Sequence, residues 1–353
     1  MSSGFAQLSA VFFSEILSRK RQRAVRVASL RVADYTPPAA RPQGSAALKK
    51  VEMDTDAGPV ELIVKVLAQP HDREALVWRL LAKLPEAPVP EIHHVEHDGS
   101  WGTYGVILEY VPPLAEAERW DPAQCRRIGL ALARFHAIFW GRPDQVPAFL
   151  HTDDARLAPE KVEPAVRRFL DRITARKHAA LSAVVPDVFA FLAKLIGMDR
   201  EFFDRADPLR PTLIHAALRR SEVLLRPGSA PLEPVLIDWE RARLGTAAED
   251  LAALTASLDP ADRPSAAEAL LDGYVEGLTA AGVACETPVL KRELLRRRVL
   301  LVGAALPGDC RLYVQREGDP AHHGWCARFI ERTHQQVAEA RGLLETIAEM
   351  DAI

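Results

Sequence analysis

The chain has 353 residues, of which 48% are hydrophobic and 26% are charged, and its formal net charge is -3. This composition supports a sizeable core and excludes collagen-like, disordered and disulfide-scaffold proteins. The near balance of 45 basic and 48 acidic residues gives no electrostatic reason to expect a nucleic acid or an anionic membrane as partner. At roughly 150 residues per domain, the length predicts two domains or one two-lobed unit.

Glycine and cysteine are both sparse. The chain contains 19 glycines against 26 prolines, the reverse of the average usage of about 7% and 5%. The four cysteines are far apart and form no Cys-x-x-Cys pair, which is typical of reduced thiols. We therefore expect a cytoplasmic protein. No apolar stretch of the sequence approaches the ~20 residues that are needed to cross a bilayer.

Hydrophobic periodicity predicts a sheet and two helices in the first third of the chain. Apolar residues at helical spacing predict helices over residues 5–20 and 71–84. Alternating residues and short apolar runs predict strands at residues 25–32, 46–53, 60–67, 92–96 and 104–110. A Pro-Pro pair at 112–113 ends this segment, so residues 1–111 are predicted to form one lobe.

After Asp121 the pattern becomes helical. Helices are predicted at residues 122–140, 159–178, 186–204, 264–282, 288–302 and 324–349. The exception is the segment 212–240, where three short apolar runs are typical of strands. We therefore expect an α+β fold, in which an antiparallel N-lobe sheet is joined to a mainly helical C-lobe of residues 112–353. Clefts between two lobes are common ligand sites.

Three charged residues stand out from their surroundings. Lys65 lies in the middle of an apolar strand, where an unpaired buried ammonium is costly, and Glu74 on the next helix can supply a partner. Asp238 follows the apolar run 235–237, as metal ligands at a cleft often do. A lone strand lysine is more often an edge or snorkelling residue. The strand Lys, helix Glu and strand-end Asp in this order are, however, the set that protein kinases use.

The segments around these residues resemble the aminoglycoside phosphotransferase and choline kinase-like group of small-molecule kinases. The matching motifs are LIHAAL (213–218), VLL (223–225), LIDWERARLG (236–245) and EDLA (249–252). The resemblance implies a protein-kinase-like two-lobed fold with ATP or GTP and Mg²⁺ as cofactors. It implies transfer of the nucleotide γ-phosphate to a hydroxyl of a small molecule, such as an aminoglycoside, a choline-like alcohol or a natural product.

The resemblance also assigns roles to individual residues. It assigns nucleotide binding to Gly44, Ser45, Lys65, Glu74, Glu109, Tyr110 and Val111. The first two match the loop that covers the phosphates, and the last three match the hinge between the lobes. Asp238 and Glu222 are the metal candidates, and His215 opens the catalytic loop. Asp250 matches a structural aspartate behind the metal-binding loop, or alternatively caps a helix before Leu251.

The catalytic loop departs from the family pattern, which reads His-Gly-Asp and has an Asn a few residues later. Ala216 stands at the Gly position, Ala217 at the Asp position and Glu222 at the Asn position. An alanine methyl accepts neither a proton nor a hydrogen bond. Because general-base help is worth ~10²- to 10⁴-fold, we expect phosphoryl transfer to be weak or absent. Glu222 either keeps an oxygen ligand for Mg²⁺ or is a solvated loop residue.

Three explanations of Ala217 are open. The chain is a natural pseudokinase that binds nucleotide or another ligand without transfer, an active kinase whose aspartate was replaced deliberately, or an active enzyme in which another group such as Glu222 took over. Because the departures at 216, 217 and 222 lie together, the pseudokinase is favoured. The alternative from another class is a ligand-sensing or scaffold module that keeps only the cleft.

Overall fold

The computed structural model describes residues 8–36, 47–67, 72–96, 104–113, 120–151, 187–188, 190–191, 194, 209–228, 232–259, 261–316 and 323–351. Its N-terminal part is a five-stranded antiparallel sheet with the strand order β1-β2-β3-β5-β4. The strands are β1 (Val27–Asp34), β2 (Ala47–Thr55), β3 (Gly58–Leu67), β4 (Ile92–Glu96) and β5 (Tyr104–Glu109). All five strands predicted from the sequence are confirmed, with ends that move by a few residues.

The side chains of strand β3 point alternately to the two faces of the sheet, and the two sets have different surroundings. Val60, Leu62 and Val64 are buried in an apolar cluster with helix α1 (Ala10–Arg21). Lys65 lies on the opposite face, where helix α2 (Asp72–Leu81) supplies Glu74. The strand lies between β2 and β5, so the interpretation of Lys65 as an edge residue is wrong.

Two helices of the C-lobe, α3 (Pro122–Phe139) and α5 (Arg263–Ala280), cross in close contact. Glycines make this approach possible. A Cβ atom on Gly129 would lie 2.1 Å from the Leu270 carbonyl oxygen, and one on Gly273 would lie 1.9 Å from that of Arg126. Helix α3 begins at a capping box in which Asp121 and Gln124 exchange hydrogen bonds. Both helices were predicted from the sequence.

Three further helices follow or flank these: α4 (Ala247–Ala256), α6 (Thr287–Arg316) and α7 (His323–Asp351). Helix α4 was anticipated only through the alternative that Asp250 caps a helix before Leu251, because α4 is buried on most sides and so lacks the apolar and polar alternation that marks an amphipathic helix. Helix α6 was predicted to end at residue 302, whereas it continues through Pro307. Most of the helices predicted at 159–178 and 186–204 lies outside the described residues.

Four short strands form two ribbons in the C-lobe. Strand β6 (Thr212–Ile214) pairs with β9 (Arg243–Gly245), and β7 (Val223–Arg226) pairs with β8 (Glu233–Leu236). The last of the three strands expected in the segment 212–240 was predicted at residues 235–238, but β8 ends at Leu236. This arrangement confirms the two-lobed α+β architecture. Within the described ranges, no helix is both long and apolar enough to cross a membrane.

Candidate active site

The three charged residues singled out in the sequence meet between the sheet and the C-lobe. The Lys65 ammonium donates to Glu74 Oε1 at 2.6 Å and to Asp238 Oδ1 at 2.8 Å. Glu74 is buried with 3% of its side chain exposed, Lys65 has 12% exposed, and Asp238 is open to solvent with 48% exposed. The lysine therefore joins the N-lobe helix α2 to the start of the segment after β8.

Opposite charges shift the pKa values of Lys65 and Asp238 toward their ionised forms. Burial alone would lower the pKa of Lys65, but the carboxylates of Glu74 and Asp238 outweigh burial and raise it. Burial alone would raise the pKa of Asp238, but the Lys65 ammonium lowers it below its ordinary value. The Trp78 indole N–H donates to Glu74 Oε1 at 3.1 Å. An ion pair that is fixed in this way can receive phosphate oxygens at the lysine and a cation at the exposed aspartate.

The backbone of the catalytic loop, residues 215–217, is bent into an unusual shape. Ala216 has a φ of 64°, in the left-handed region that favours glycine. The resemblance implies glycine at this position, the residue that adopts this backbone conformation most easily. Ala217 follows immediately and is half-buried. Its methyl group offers no hydrogen-bond acceptor.

A fully buried carboxylate holds this loop in place. Asp250 accepts hydrogen bonds from the backbone N–H of His215 at 2.7 Å and of Ala216 at 2.8 Å. Burial would raise its pKa, but the hydrogen bond and charge interaction with His136, with His215 in support, lower it. Asp250 lies inside α4, whose N-cap is Thr246. The alternative interpretation of Asp250 as a helix cap is therefore wrong.

Two residues behind Asp250 were not assigned a role from the sequence. His136 Nε2 donates to Asp250 Oδ2 at 3.3 Å, and its Nδ1 forms a hydrogen bond with the Tyr274 hydroxyl at 2.9 Å. Thr212 Oγ1 donates to the His136 carbonyl oxygen at 2.6 Å. The signal for His136 was a polar residue on the apolar face of a helix. Tyr274 offered no such signal, because a tyrosine on the apolar face of a helix is not unusual.

His215 connects the catalytic loop to the segment around Asp238. Its Nε2 donates to the Ile237 carbonyl oxygen at 2.7 Å, and its ring lies 4.7 Å from that of Trp239. These contacts hold the residues on both sides of Asp238. Asp238 itself has a φ of 66°, a conformation that aspartate tolerates better than most residues. His215 therefore acts on the site through backbone position.

Glu222 lies beside the same segment, at the end of a short 3-10 turn. Its backbone carbonyl oxygen accepts from the Ile237 N–H at 2.9 Å, which joins the turn directly to the residue before Asp238. Glu222 Oε1 accepts from the Ser221 hydroxyl at 2.8 Å, whereas Oε2 is enclosed and has no hydrogen-bond partner among the described residues. Glu222 is therefore not simply a solvated loop residue.

The hinge residues continue from β5. The Tyr110 N–H donates to the Glu61 carbonyl oxygen at 3.2 Å, which extends the sheet by one residue, and Val111 is buried. The Glu109 carboxylate is held by Arg226. Gly44 and Ser45, which were assigned to the phosphate-covering loop, lie outside the described residues. In the part of the chain that the structure describes, no group of three or more His, Cys, Asp or Glu side chains could hold a metal.

Comparisons with known proteins identify the family of the chain. The model of the phosphotransferase enzyme family, APH, matches residues 49–283. The matched segment contains β3, the catalytic loop and all of helices α2 to α5. None of the curated proteins matches the chain.

Solved structures share the fold at low sequence identity. The choline kinase from Cryptosporidium parvum Iowa II is 12% identical, with a TM-score of 0.59, and the match covers 91% of this chain and 93% of that one. An aminoglycoside phosphotransferase from Alicyclobacillus acidocaldarius is 14% identical, with a TM-score of 0.54 and the same two coverages, 91% and 93%. A spectinomycin phosphotransferase in complex with ADP and spectinomycin is 11% identical, with a TM-score of 0.52 and coverages of 98% and 100%.

Proposed function

Because the chain belongs to the phosphotransferase enzyme family, we propose that it binds ATP or GTP with Mg²⁺ between its lobes and transfers the γ-phosphate weakly or not at all. The acceptor site of this family takes a hydroxyl of a small molecule. The observation that carries the proposal is the contrast between two neighbouring parts of the site. Lys65, Glu74 and Asp238 are assembled, whereas Ala217 leaves the position of the catalytic aspartate without an acceptor.

Nucleotide binding and phosphoryl transfer depend on different residues. Lys65 is held by Glu74 and points to the exposed Asp238, so it is placed to orient phosphate oxygens. The hinge residues 109–111 and the loop with Gly44 and Ser45 would hold the base and cover the phosphates. Positioning and charge neutralisation are separate from proton transfer in this chemistry. Loss of the aspartate therefore does not remove the binding site.

The residues at the metal position fit Mg²⁺. Asp238 offers an exposed carboxylate, and Glu222 offers the enclosed oxygen Oε2, which has no partner among the described residues. Mg²⁺ is commonly held by one or two carboxylates together with phosphates and water, so two protein ligands suffice. When bound, Mg²⁺ neutralises phosphate charge. Asp238 and Glu222 would hold the ion, and Lys65 would be left to the phosphates.

The acceptor side lacks its base. Ala217 cannot orient or deprotonate a hydroxyl, and loss of this help costs ~10²- to 10⁴-fold in rate. Glu222 is a poor substitute, since its backbone is tied to Ile237 and its Oε1 to Ser221. These contacts favour a role for Glu222 as a metal ligand over a role as the general base. We therefore propose that the protein is a pseudokinase that keeps its nucleotide site.

The test compares transfer by three proteins. The natural chain, the single variant Ala217→Asp and a triple variant Ala216→Gly, Ala217→Asp, Glu222→Asn are given labelled ATP with an aminoglycoside, a macrolide or choline. We expect the natural chain to be at least ~10²-fold slower than the triple variant. A natural chain that transfers as fast as the triple variant would contradict the proposal. A single variant that matches the triple variant would show that one replacement accounts for the loss.

A further inference from the structure

We infer that Arg226 is a positioning residue: it fixes the hinge to the C-lobe ribbon that leads to the metal position, and so sets nucleotide affinity without touching the nucleotide. This inference rests on the proposed function for its affinity readout. Arg226 ends β7, and Glu109, the first of the hinge residues 109–111, ends β5. Neither side chain was assigned this contact from the sequence.

The contact between the two residues has two-point geometry. Arg226 Nε donates to Glu109 Oε1 at 3.0 Å, and Nη2 donates to Oε2 at 2.9 Å. Two parallel hydrogen bonds fix direction as well as distance. Arg226 Nη1 also contacts Glu233 on the paired strand β8. The guanidinium therefore joins the hinge to both strands of one ribbon.

Glu109 is fixed from the other side too. Its Oε2 accepts from the Glu91 backbone N–H at 3.0 Å, and its own N–H donates to the Glu91 carbonyl oxygen at 2.8 Å. Each of the Arg226 and Glu109 side chains has 27% of its surface exposed. Burial alone would raise the pKa of Glu109, but the hydrogen bonds from Arg226 and Glu91 outweigh it. The pair is ionised and partly shielded from water, where charge-assisted bonds are strong.

The ribbon leads directly to the metal position. Strand β7 follows Glu222, and Asp238 comes two residues after the end of β8 at Leu236. The base at the hinge and the phosphates at Asp238 would belong to one ligand, so a fixed distance between these two places favours its binding. A second link lies nearby, because the Leu236 N–H donates to the Pro88 carbonyl oxygen at 2.6 Å.

The experiment measures ATP affinity in the presence of Mg²⁺ by calorimetry, and hinge amide exchange in the ligand-free protein. Arg226→Met is expected to weaken ATP binding about tenfold, within the usual range of coupling between sites, and to speed exchange of the Glu109 amide. Arg226→Lys keeps the charge but not the two-point geometry, so its effect should be intermediate. The matched control is Arg126→Met, which breaks the Arg126–Glu276 pair (2.6 Å) between α3 and α5 and should change neither reading.

Unchanged affinity and unchanged exchange in Arg226→Met would overturn the inference. An equal loss of affinity in Arg126→Met would also overturn it, since the effect would then come from general destabilisation. If the natural chain binds no ATP, the proposed function fails, and the amide exchange alone decides the role of Arg226. Faster exchange of the Glu109 amide in Arg226→Met, but not in Arg126→Met, would still support a positioning role for Arg226.

Discussion

At the scale of single residues, Ala216 adopts a backbone conformation that is typical of glycine. Its left-handed φ of 64° is costly for a residue with a Cβ atom. The two backbone hydrogen bonds to Asp250 hold that conformation. Asp250 therefore holds the bend directly before Ala217, the position at which the resemblance implies an aspartate.

Ala216→Gly is expected to raise the free energy of unfolding by about 0.5 to 1 kcal/mol. It removes about 1–2 kcal/mol of steric strain, against about 0.4–1 kcal/mol from the added freedom of the unfolded chain. Urea denaturation measures the difference. The control is Ala131→Gly in the interior of α3, which should lower stability by about 1 kcal/mol. If both variants were destabilised equally, Ala216 would not be left-handed in solution.

The charged residues of the site could be predicted from the sequence because each one broke a local pattern. Lys65 interrupts an apolar strand and Asp238 follows one, so a partner or a ligand was required. Tyr274 and Arg226 broke no such pattern. Their contacts with His136 and Glu109 join residues more than a hundred positions apart, and single-sequence periodicity carries no information about such pairs.

At the scale of elements, helix α4 supports the catalytic loop. It is short and buried on most sides, and its Asp250 carboxylate reaches the backbone after β6. The five sheet strands could be predicted because their alternation reflects one covered face. The bounds of helix α4 could not, because a helix surrounded by protein has no polar face to mark its period.

Asp250→Asn is expected to lower the free energy of unfolding by about 2 kcal/mol at neutral pH, the usual value for hydrogen bonds to a charged group. The folded-state pKa of Asp250 is lowered, so its contribution is present above the unfolded pKa of about 3.9 and is lost as pH falls through the folded value. Urea denaturation at several pH values should show the difference between natural chain and variant shrinking below about pH 4.

The control for this experiment is Asp144→Asn, at an exposed position, which should leave stability unchanged at every pH. A variant as stable as the natural chain at neutral pH would contradict the role given to Asp250. So would a difference that grows as the solution becomes more acidic.

At the scale of the whole molecule, the sparse glycines do not mark a weakened fold. Gly129 and Gly273 lie where α3 and α5 touch, so the C-lobe core keeps glycine where a Cβ atom would collide. The catalytic loop has alanine at the left-handed position instead. The sequence predicted the two lobes from their different periodicities, but not which glycines the helix crossing requires, because that depends on how the helices meet.

The central claim is that nucleotide binding persists where transfer is impaired. Its most direct measurement is the shift in thermal unfolding on addition of ATP or GTP with Mg²⁺, since a ligand that binds only the folded state stabilises it, by about 2.7 kcal/mol at a hundred times Kd. We predict stabilisation of the natural chain, a smaller effect in Asp238→Asn, and no change from the natural response in Asp144→Asn. Absence of stabilisation by either nucleotide, with Mg²⁺ present, would contradict the account.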